Sequence, residues 1–102
     1  IDSSAFQLGS LEFRYVNREI LAGKEIFRLT PKEADLLKML CEQQGKVLSR
    51  ELALKSIWGE DNYFTRRSMD VYISKIRKYL KQDESLELLT VHGSGFRLLT
   101  EQ

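Results

Sequence analysis

Apolar residues recur along residues 66–81 with the spacing of one face of a helix. If residue 69 is placed at zero and each residue advances by about 100°, three further apolar residues fall within roughly 40° of it. These four residues are Met69, Ile73, Ile76 and Leu80. The opposite face carries polar and basic side chains and no acid: Arg67, Ser74, Lys75 and Lys78, with Lys81 nearer its edge. The pattern predicts a helix that buries one face and presents a row of cations on the other.

Residues 5–29 follow a different pattern, because apolar and polar residues alternate there with a period of two. Gly9-Ser10 and Asn17-Arg18 interrupt the alternation with residues that favour tight turns. The apolar positions are Phe6, Leu8, Leu11, Phe13, Tyr15, Ile20, Ile26 and Leu29. Short alternating segments separated by turns predict a small antiparallel meander, one face of which packs on the rest of the chain.

A strong helix start follows the meander at Thr30. Thr30 can cap the free N–H groups, Pro31 suits the first helical position, and Glu33 can complete a capping box. Gly45 suits a left-handed C-terminal cap. These signals predict a first helix between Thr30 and Gly45.

Ser49 is predicted to cap a second helix over residues 50–58, and Thr65 to cap the basic helix. The apolar residues of the second helix are Leu52, Ala53, Ile57 and Trp58. Residues 60–64 between the two helices form an acidic and aromatic loop. Val47-Leu48 is too short to be more than an isolated bridge of strand.

Two β-rich arms flank Gly93-Ser94-Gly95 within residues 88–99, which predicts a hairpin. Three helices followed by a hairpin describe an α+β winged helix-turn-helix, with the hairpin as the wing. In such a fold the third helix, residues 66–81, lies in the major groove of DNA, and the wing reaches an adjacent groove or the backbone.

The charge distribution agrees with this architecture better than the total charge does. The net charge of the 102 residues is only +1, which does not indicate a general attraction to polyanions. Residues 66–81 nevertheless hold six Lys or Arg and one acid, whereas residues 1–51 balance eight basic residues against eight acidic ones. Positive charge is therefore concentrated on one element.

Other functional classes find little support in the composition. The single Cys41 lies in a helical apolar pattern and is expected to be a small core residue. One Cys and one His cannot furnish a structural zinc site, and no nucleophile–base pair or Gly-rich phosphate loop is present, so no metal, cofactor or enzyme activity is expected. No stretch suggests a membrane span or a signal peptide, and a cytoplasmic location is expected.

Three stretches, in this order and spacing, resemble the OmpR/PhoB-type winged-helix DNA-binding effector domain of two-component response regulators. They are residues 29–37 (LTPKEADLL), 67–80 (RSMDVYISKIRKYL) and 90–98 (TVHGSGFRL). The resemblance extends from Phe6 to Leu99. It implies a single domain over residues 1–102, with an N-terminal four-stranded antiparallel sheet, a three-helix core and a C-terminal β-hairpin wing.

The resemblance also implies partners. It implies sequence-specific binding to double-stranded DNA for transcriptional regulation, by dimers on paired half-sites. It implies contact with RNA polymerase through the loop from Gly59 to Phe64, mainly by Glu60, Asp61, Asn62 and Tyr63. A phosphorylatable receiver domain is expected upstream and lies outside this chain, which begins at Ile1 and is expected to be a piece of a longer protein.

The residues expected to contact DNA are Arg67, Val71, Tyr72, Ser74, Lys75, Arg77, Lys78, Thr90 and His92. Ser74 and Lys75 are assigned to base edges and Val71 to a thymine methyl, while the cations mainly contact phosphates. Lys75 and His92 stand where the family usually has Arg, and Tyr72 where His is common. Lys75 supplies a single charge where Arg would grip guanine with a planar fork.

Several of these residues have an alternative structural interpretation. Val71 could belong to the fringe of the core, and Tyr72 could be partly buried. Arg77 could pair either with a phosphate or with Asp70, and Trp58 packs the second helix or donates its indole N–H to a phosphate. The whole domain could instead be a winged-helix protein-interaction module without sequence-specific DNA binding, because a fold does not by itself set function.

Overall fold

A computed structural model describes residues 5–100 of the chain, so the outermost residues of the predicted domain, 1–4 and 101–102, lie outside the described range. The described elements in chain order are β1 (Ala5–Leu8), β2 (Leu11–Arg14), β3 (Glu19–Ala22), β4 (Glu25–Arg28), α1 (Pro31–Glu42), β5 (Val47–Ser49), α2 (Arg50–Ile57), α3 (Tyr63–Leu80), β6 (Leu86–Val91) and β7 (Gly95–Thr100). The predicted winged helix-turn-helix is confirmed.

The N-terminal strands form the predicted antiparallel meander in the order β1-β2-β3-β4. Phe13 lies opposite Phe6 on one side and Ile20 on the other, so one face of the sheet carries a continuous apolar row. The rings of Phe6 and Phe13 stack with 5.8 Å between their centroids. Phe13 and Ile20 are fully buried, and this face closes the core from the N-terminal side.

The start of α1 follows from its local sequence. The N–H of Thr30 donates to the Glu33 carboxylate at 2.8 Å, and the N–H of Glu33 donates to the Thr30 hydroxyl at 3.3 Å, which confirms the predicted capping box. Gln43 is the C-cap of the helix. Gly45 lies two residues beyond it, with a φ of 81° that glycine adopts without strain.

A second sheet in the order β5-β7-β6 joins the hairpin to the helices. Val47 to Ser49 form a true strand, paired with Arg97 to Gly95, so the prediction of an isolated bridge is wrong. Its partner strand, β7, lies about fifty residues away in the chain. The backbone hydrogen bonds of β5 therefore form only when the wing has folded beside it. α2 ends at Ile57, one residue earlier than predicted, and Leu54 is buried beside Ala53 while Leu52 is exposed.

The core lies between the two sheets and the three helices. It joins the meander face to the inner sides of the helices and to the wing, and its fully buried members include Leu36, Leu37, Leu48, Leu54, Met69, Ile76 and Leu98. Cys41 belongs to this core, as predicted, and burial raises the pKa of its thiol to about 12. The core holds α3 along one face only and leaves its other face at the surface.

Candidate nucleic-acid interface

The third helix begins one turn earlier than the sequence predicted. Asn62 is the N-cap: its side-chain oxygen accepts the N–H of Thr65 at 2.9 Å, and the Thr65 hydroxyl accepts the N–H of Asn62 at 2.9 Å. Thr65 is therefore the third helical residue of a capping box and not the cap. The helix runs over 63–80 instead of 66–81, and Tyr63 and Phe64 belong to it instead of to the preceding loop.

The two faces of α3 differ as predicted. Met69, Ile73, Ile76 and Leu80 are buried, and they fix the rotation of the helix against the core. The five predicted contact residues that share the opposite face are all exposed: Arg67, Val71, Ser74, Lys75 and Lys78. Val71 is 53% exposed, which excludes its alternative assignment to the core.

An open patch of surface lies along the N-terminal half of this outward face. Its residues come from α3 alone: Phe64, Arg67, Ser68, Asp70, Val71 and Ser74. Arg67 is oriented within it, because its guanidinium donates to the Tyr63 hydroxyl at 3.0 Å and lies 5.6 Å from the centroid of that ring. Phe64, Ser68 and Asp70 were not among the predicted site residues; the Asn62–Thr65 capping pair was the signal that could have included Phe64.

Arg77 and Thr90 engage each other on one flank of α3. The Arg77 guanidinium donates to the Leu88 carbonyl from Nε at 3.0 Å and from Nη2 at 2.8 Å, and Nη2 also donates to the Thr90 hydroxyl at 3.1 Å. Asp70 pairs instead with Arg50 at 2.5 Å, so the predicted alternative of an Arg77–Asp70 pair is wrong. Arg77 thus fastens the wing to α3.

Tyr72 lies on the other flank and is half-buried. Its ring stacks on Trp58 with 5.5 Å between centroids, and Lys75 Nζ lies 5.9 Å from the Tyr72 centroid. Lys32 Nζ lies 5.7 Å from the centroid of the Trp58 ring and donates to the Ile57 carbonyl. The structural interpretation of Trp58 is confirmed, because it packs α2 against α3, and Lys75 extends from the edge of this stack.

The wing is longer than predicted, with arms over residues 86–91 and 95–100 instead of a hairpin over 88–99. His92 is exposed in the turn between the arms. The turn is held beside the start of α2, because the N–H of Arg50 donates to the Ser94 carbonyl at 3.1 Å. A Cβ at Gly95 would overlap the Leu48 carbonyl oxygen, so only glycine permits this close approach of the wing to β5.

Three of the four predicted polymerase-contact residues lie between α2 and α3, and the fourth, Tyr63, is the first residue of α3. Asn62 donates from its amide to the Glu60 carboxylate at 2.8 Å, and Asp61 pairs with Arg66 Nε at 2.6 Å. The hydrogen bond to Asp61 raises the pKa of the Arg66 guanidinium. This segment is therefore ordered by its own side chains, with Tyr63 placed on the first turn of α3 and not in the loop.

Within the part of the chain that the structure describes, no group of three or more His, Cys, Asp or Glu side chains is placed to hold a metal ion. None of the helices in residues 5–100 combines the length and the apolar composition that a membrane span requires. The exposed basic surface of the fold is the outward face of α3, and the exposed turn of the wing follows it in the chain. They define a winged-helix domain with an exposed basic recognition helix.

Comparison with known proteins places this domain in a family. Residues 23–98 match the family described as "Transcriptional regulatory protein, C terminal". The chain therefore belongs to this family of transcriptional regulator DNA-binding domains, of the OmpR/PhoB winged-helix type.

Three similar proteins illustrate the match. The transcriptional regulatory protein RprY of Bacteroides fragilis is 43% identical over 101 residues, which cover 99% of this chain and 43% of RprY, so this chain spans less than half the length of that relative. The Klebsiella pneumoniae RstA DNA-binding domain, solved in complex with the RstA box, has 31% identity and a TM-score of 0.75 over 93% of this chain and 96% of that chain. The DNA-binding domain of CpxR from E. coli, with a TM-score of 0.83 over 98% of this chain and 100% of that chain, is 22% identical and shows the fold alone.

Proposed function

We propose that this domain binds double-stranded DNA sequence-specifically to regulate transcription, as the output domain of a two-component response regulator. The observation that carries the proposal is the outward face of α3, where Arg67, Ser74, Lys75 and Lys78 are all exposed around Val71. A helix that is buried on one side and cationic on the other fits the major groove. The related RstA domain forms a complex with its DNA box, which supports the same activity here.

Within this proposal the predicted contact residues take different roles. Ser74 and Lys75 contact base edges and Val71 a thymine methyl, while Arg67 and Lys78 contact phosphates, which position the helix without selecting a sequence. The wing turn with His92 lies on the adjacent groove or backbone. Tyr72, Arg77 and Thr90 contribute mainly by holding Lys75 and the wing in place, since each already has a partner within the domain.

The larger assembly follows from the same proposal. We expect dimers on paired half-sites, a receiver domain elsewhere in the longer protein, and a cytoplasmic location with the DNA. We also propose that the segment with Glu60, Asp61, Asn62 and Tyr63 contacts RNA polymerase, because it offers two acids and a 62% exposed aromatic ring beside the DNA-facing helix. The number of domains bound to duplexes with one or two half-sites, measured by analytical ultracentrifugation, tests the dimer.

The salt dependence of binding to a random duplex tests the central proposal. Phosphate contacts release counterions, so the logarithm of the binding constant should fall linearly with the logarithm of salt concentration, by about 0.9 per contact. Fluorescence anisotropy over a range of KCl concentrations gives this slope. A slope near zero would contradict DNA binding and favour the protein-interaction module, for which the exposed rings of Tyr63 and Phe64 would then be the contact surface.

A further inference from the structure

We propose that Phe64 is an additional specificity-determining residue, which contacts a thymine 5-methyl group in the major groove. This inference rests on the proposed DNA-binding function and deepens it. Phe64 lies outside the helix predicted from sequence, and the structure places it on the first turn of α3. Four steps support the assignment: its position on the helix, its exposure, the chemistry of the groove, and the contrast with Tyr63.

The position of Phe64 follows from helix geometry. Phe64, Val71 and Lys78 are spaced by seven residues, and an α-helix drifts by only about 20° over such a step. The three side chains therefore form one line along the outward face of α3. Arg67 and Lys75 lie on either side of this line, each within roughly 40° of Val71. Phe64 is at the N-terminal end of the line, and residues at the N-terminal end of a recognition helix can contact base edges.

The exposure of Phe64 leaves its ring without a role in the fold. It is 78% exposed, more than the 53% of Val71, and both lie on the same open patch of α3. Its aromatic contact among the described residues is the edge-on ring of Tyr63, at 5.5 Å between centroids. A large apolar ring in water, within a row of cations, gains free energy when an apolar group covers it.

The chemistry of the major groove supplies such a group. The 5-methyl of thymine is the apolar group that base pairs present there, and contact with it is an established role for Phe. Arg67 and Lys75 beside the line can hold the flanking phosphates or bases. The placement of α3 that brings Val71 to the base edges then brings the Phe64 ring to them as well. Phe64 and Val71 then contact thymines at different positions of one half-site.

Tyr63 provides the contrast. It is the adjacent exposed aromatic residue, but it lies about 80° from Val71 around the helix, at the edge of the face. Its hydroxyl accepts a hydrogen bond from Arg67 at 3.0 Å, which directs that guanidinium. Tyr63 is thus engaged with Arg67 from the edge of the outward face and lies off the line of Phe64, so it serves as a control.

Removal of single methyl groups from the DNA tests the proposal. A duplex selected from a random pool is the probe, together with derivatives in which one thymine at a time is replaced by uracil. For the native domain, loss of the methyl under Phe64 should weaken binding about fourfold, the effect of one buried methyl group. Phe64→Ala should bind the thymine duplex more weakly and lose its thymine preference at that one position. Val71→Ala should lose the preference at a different position, and Tyr63→Phe at none.

Specific results would overturn the assignment. They are a selected site without thymine beneath the first turn of α3, or full thymine preference retained at every position by both Phe64→Ala and Phe64→Leu. Unchanged DNA affinity of Phe64→Ala together with reduced transcription by RNA polymerase would assign the ring to the polymerase instead. A melting temperature equal to that of the native domain, measured by circular dichroism, would show that both variants fold. Failure of the proposed function itself is distinct, because the native domain would then show no salt-dependent binding.

Discussion

The two faces of α3 show how one helix separates stability from recognition. Val71 and Ile73 are β-branched residues two positions apart, yet Val71 is 53% exposed and Ile73 only 3%. Their chemistry is similar, and their angle around the helix axis decides the difference. The buried face fixes where α3 lies, and the outward face takes no part in packing the core. A substitution on either face should therefore change one property and leave the other nearly intact.

On the flank between the two faces, a basic residue stabilises the fold. Arg77 and Lys78 are adjacent cations, but Arg77 donates to the Leu88 carbonyl and Thr90, whereas Lys78 has no hydrogen bond or ion pair within the described residues 5–100. The two side chains carry the same charge, but Arg77 lies on the flank next to the wing, whereas Lys78 lies on the outward face, about 100° away around the helix axis. A basic residue on a recognition helix can thus be part of the framework.

The largest effect is expected on the buried face. Ile76→Ala should lower the free energy of unfolding by about 2–5 kcal/mol, because it leaves a cavity beneath α3. Val71→Ala, the matched control on the outward face, should change it by less than about 0.5 kcal/mol. Urea unfolding followed by circular dichroism measures both. Equal losses in the two variants would show that Val71 belongs to the core after all.

A smaller loss is expected from Arg77→Ala, which removes the donors to the Leu88 carbonyl and Thr90. The lost charge-assisted hydrogen bonds should lower the free energy of unfolding by ~1–3 kcal/mol. Arg77→Lys keeps the charge but not the planar fork, and it should recover only part of the stability. Lys78→Ala is the control. Unchanged stability in Arg77→Ala would return Arg77 to the set of simple phosphate contacts.

Features set by neighbouring residues in the chain could be predicted from the sequence. The capping box of Thr30 and Glu33 lies within four consecutive residues, and the buried stripe from Met69 to Leu80 needs only the period of a helix. The predicted start of α3 is wrong because Asn62 and Thr65 are both good N-cap residues. Only their reciprocal hydrogen bonds show that Asn62 is the cap.

Features set by distant contacts could not be predicted in this way. The strand at Val47 to Ser49 exists because β7 lies beside it, and three residues carry no period of their own. The partners of Arg77 belong to the wing, so that its role depends on how the hairpin packs against α3. The candidate site was therefore predicted in its central row, whereas its flanks and its first turn required the structure.

Within the outward face, Lys75 and Lys78 are predicted to have different roles in DNA binding. Lys75→Ala should relax discrimination at one base pair, at the weaker end of the ~1–3 kcal/mol range for base contacts. Lys78→Ala should weaken binding to all sequences alike and lower the salt slope by about one. Competition binding with single-base variants of a selected duplex, at several salt concentrations, measures both effects. Equal loss of discrimination in the two variants would contradict this division of roles.

The smallest effect is expected remote from both faces, at Asp83 in the loop after α3. Its carboxylate accepts the N–H and hydroxyl of Ser10 at 2.5 and 2.8 Å, and those of Ser85 at 2.8 and 2.7 Å. These bonds, the Ser10 N–H foremost, lower the pKa of Asp83 below its ordinary value of 3.8. A depressed folded-state pKa means that this stabilisation is fully present above pH 3.8 and is lost as the pH falls through the folded-state pKa.

Asp83→Asn should therefore lower the urea midpoint at neutral pH and reduce the further loss of stability below pH 3.8, since the amide cannot titrate. Glu84→Gln, which removes an exposed carboxylate from the same loop, is the control for total charge. Discrimination among DNA sequences should be the same in both variants, because Asp83 joins the meander to the loop and leaves the outward face of α3 intact. An altered sequence preference in Asp83→Asn would show that the framework and the recognition face are coupled through this loop.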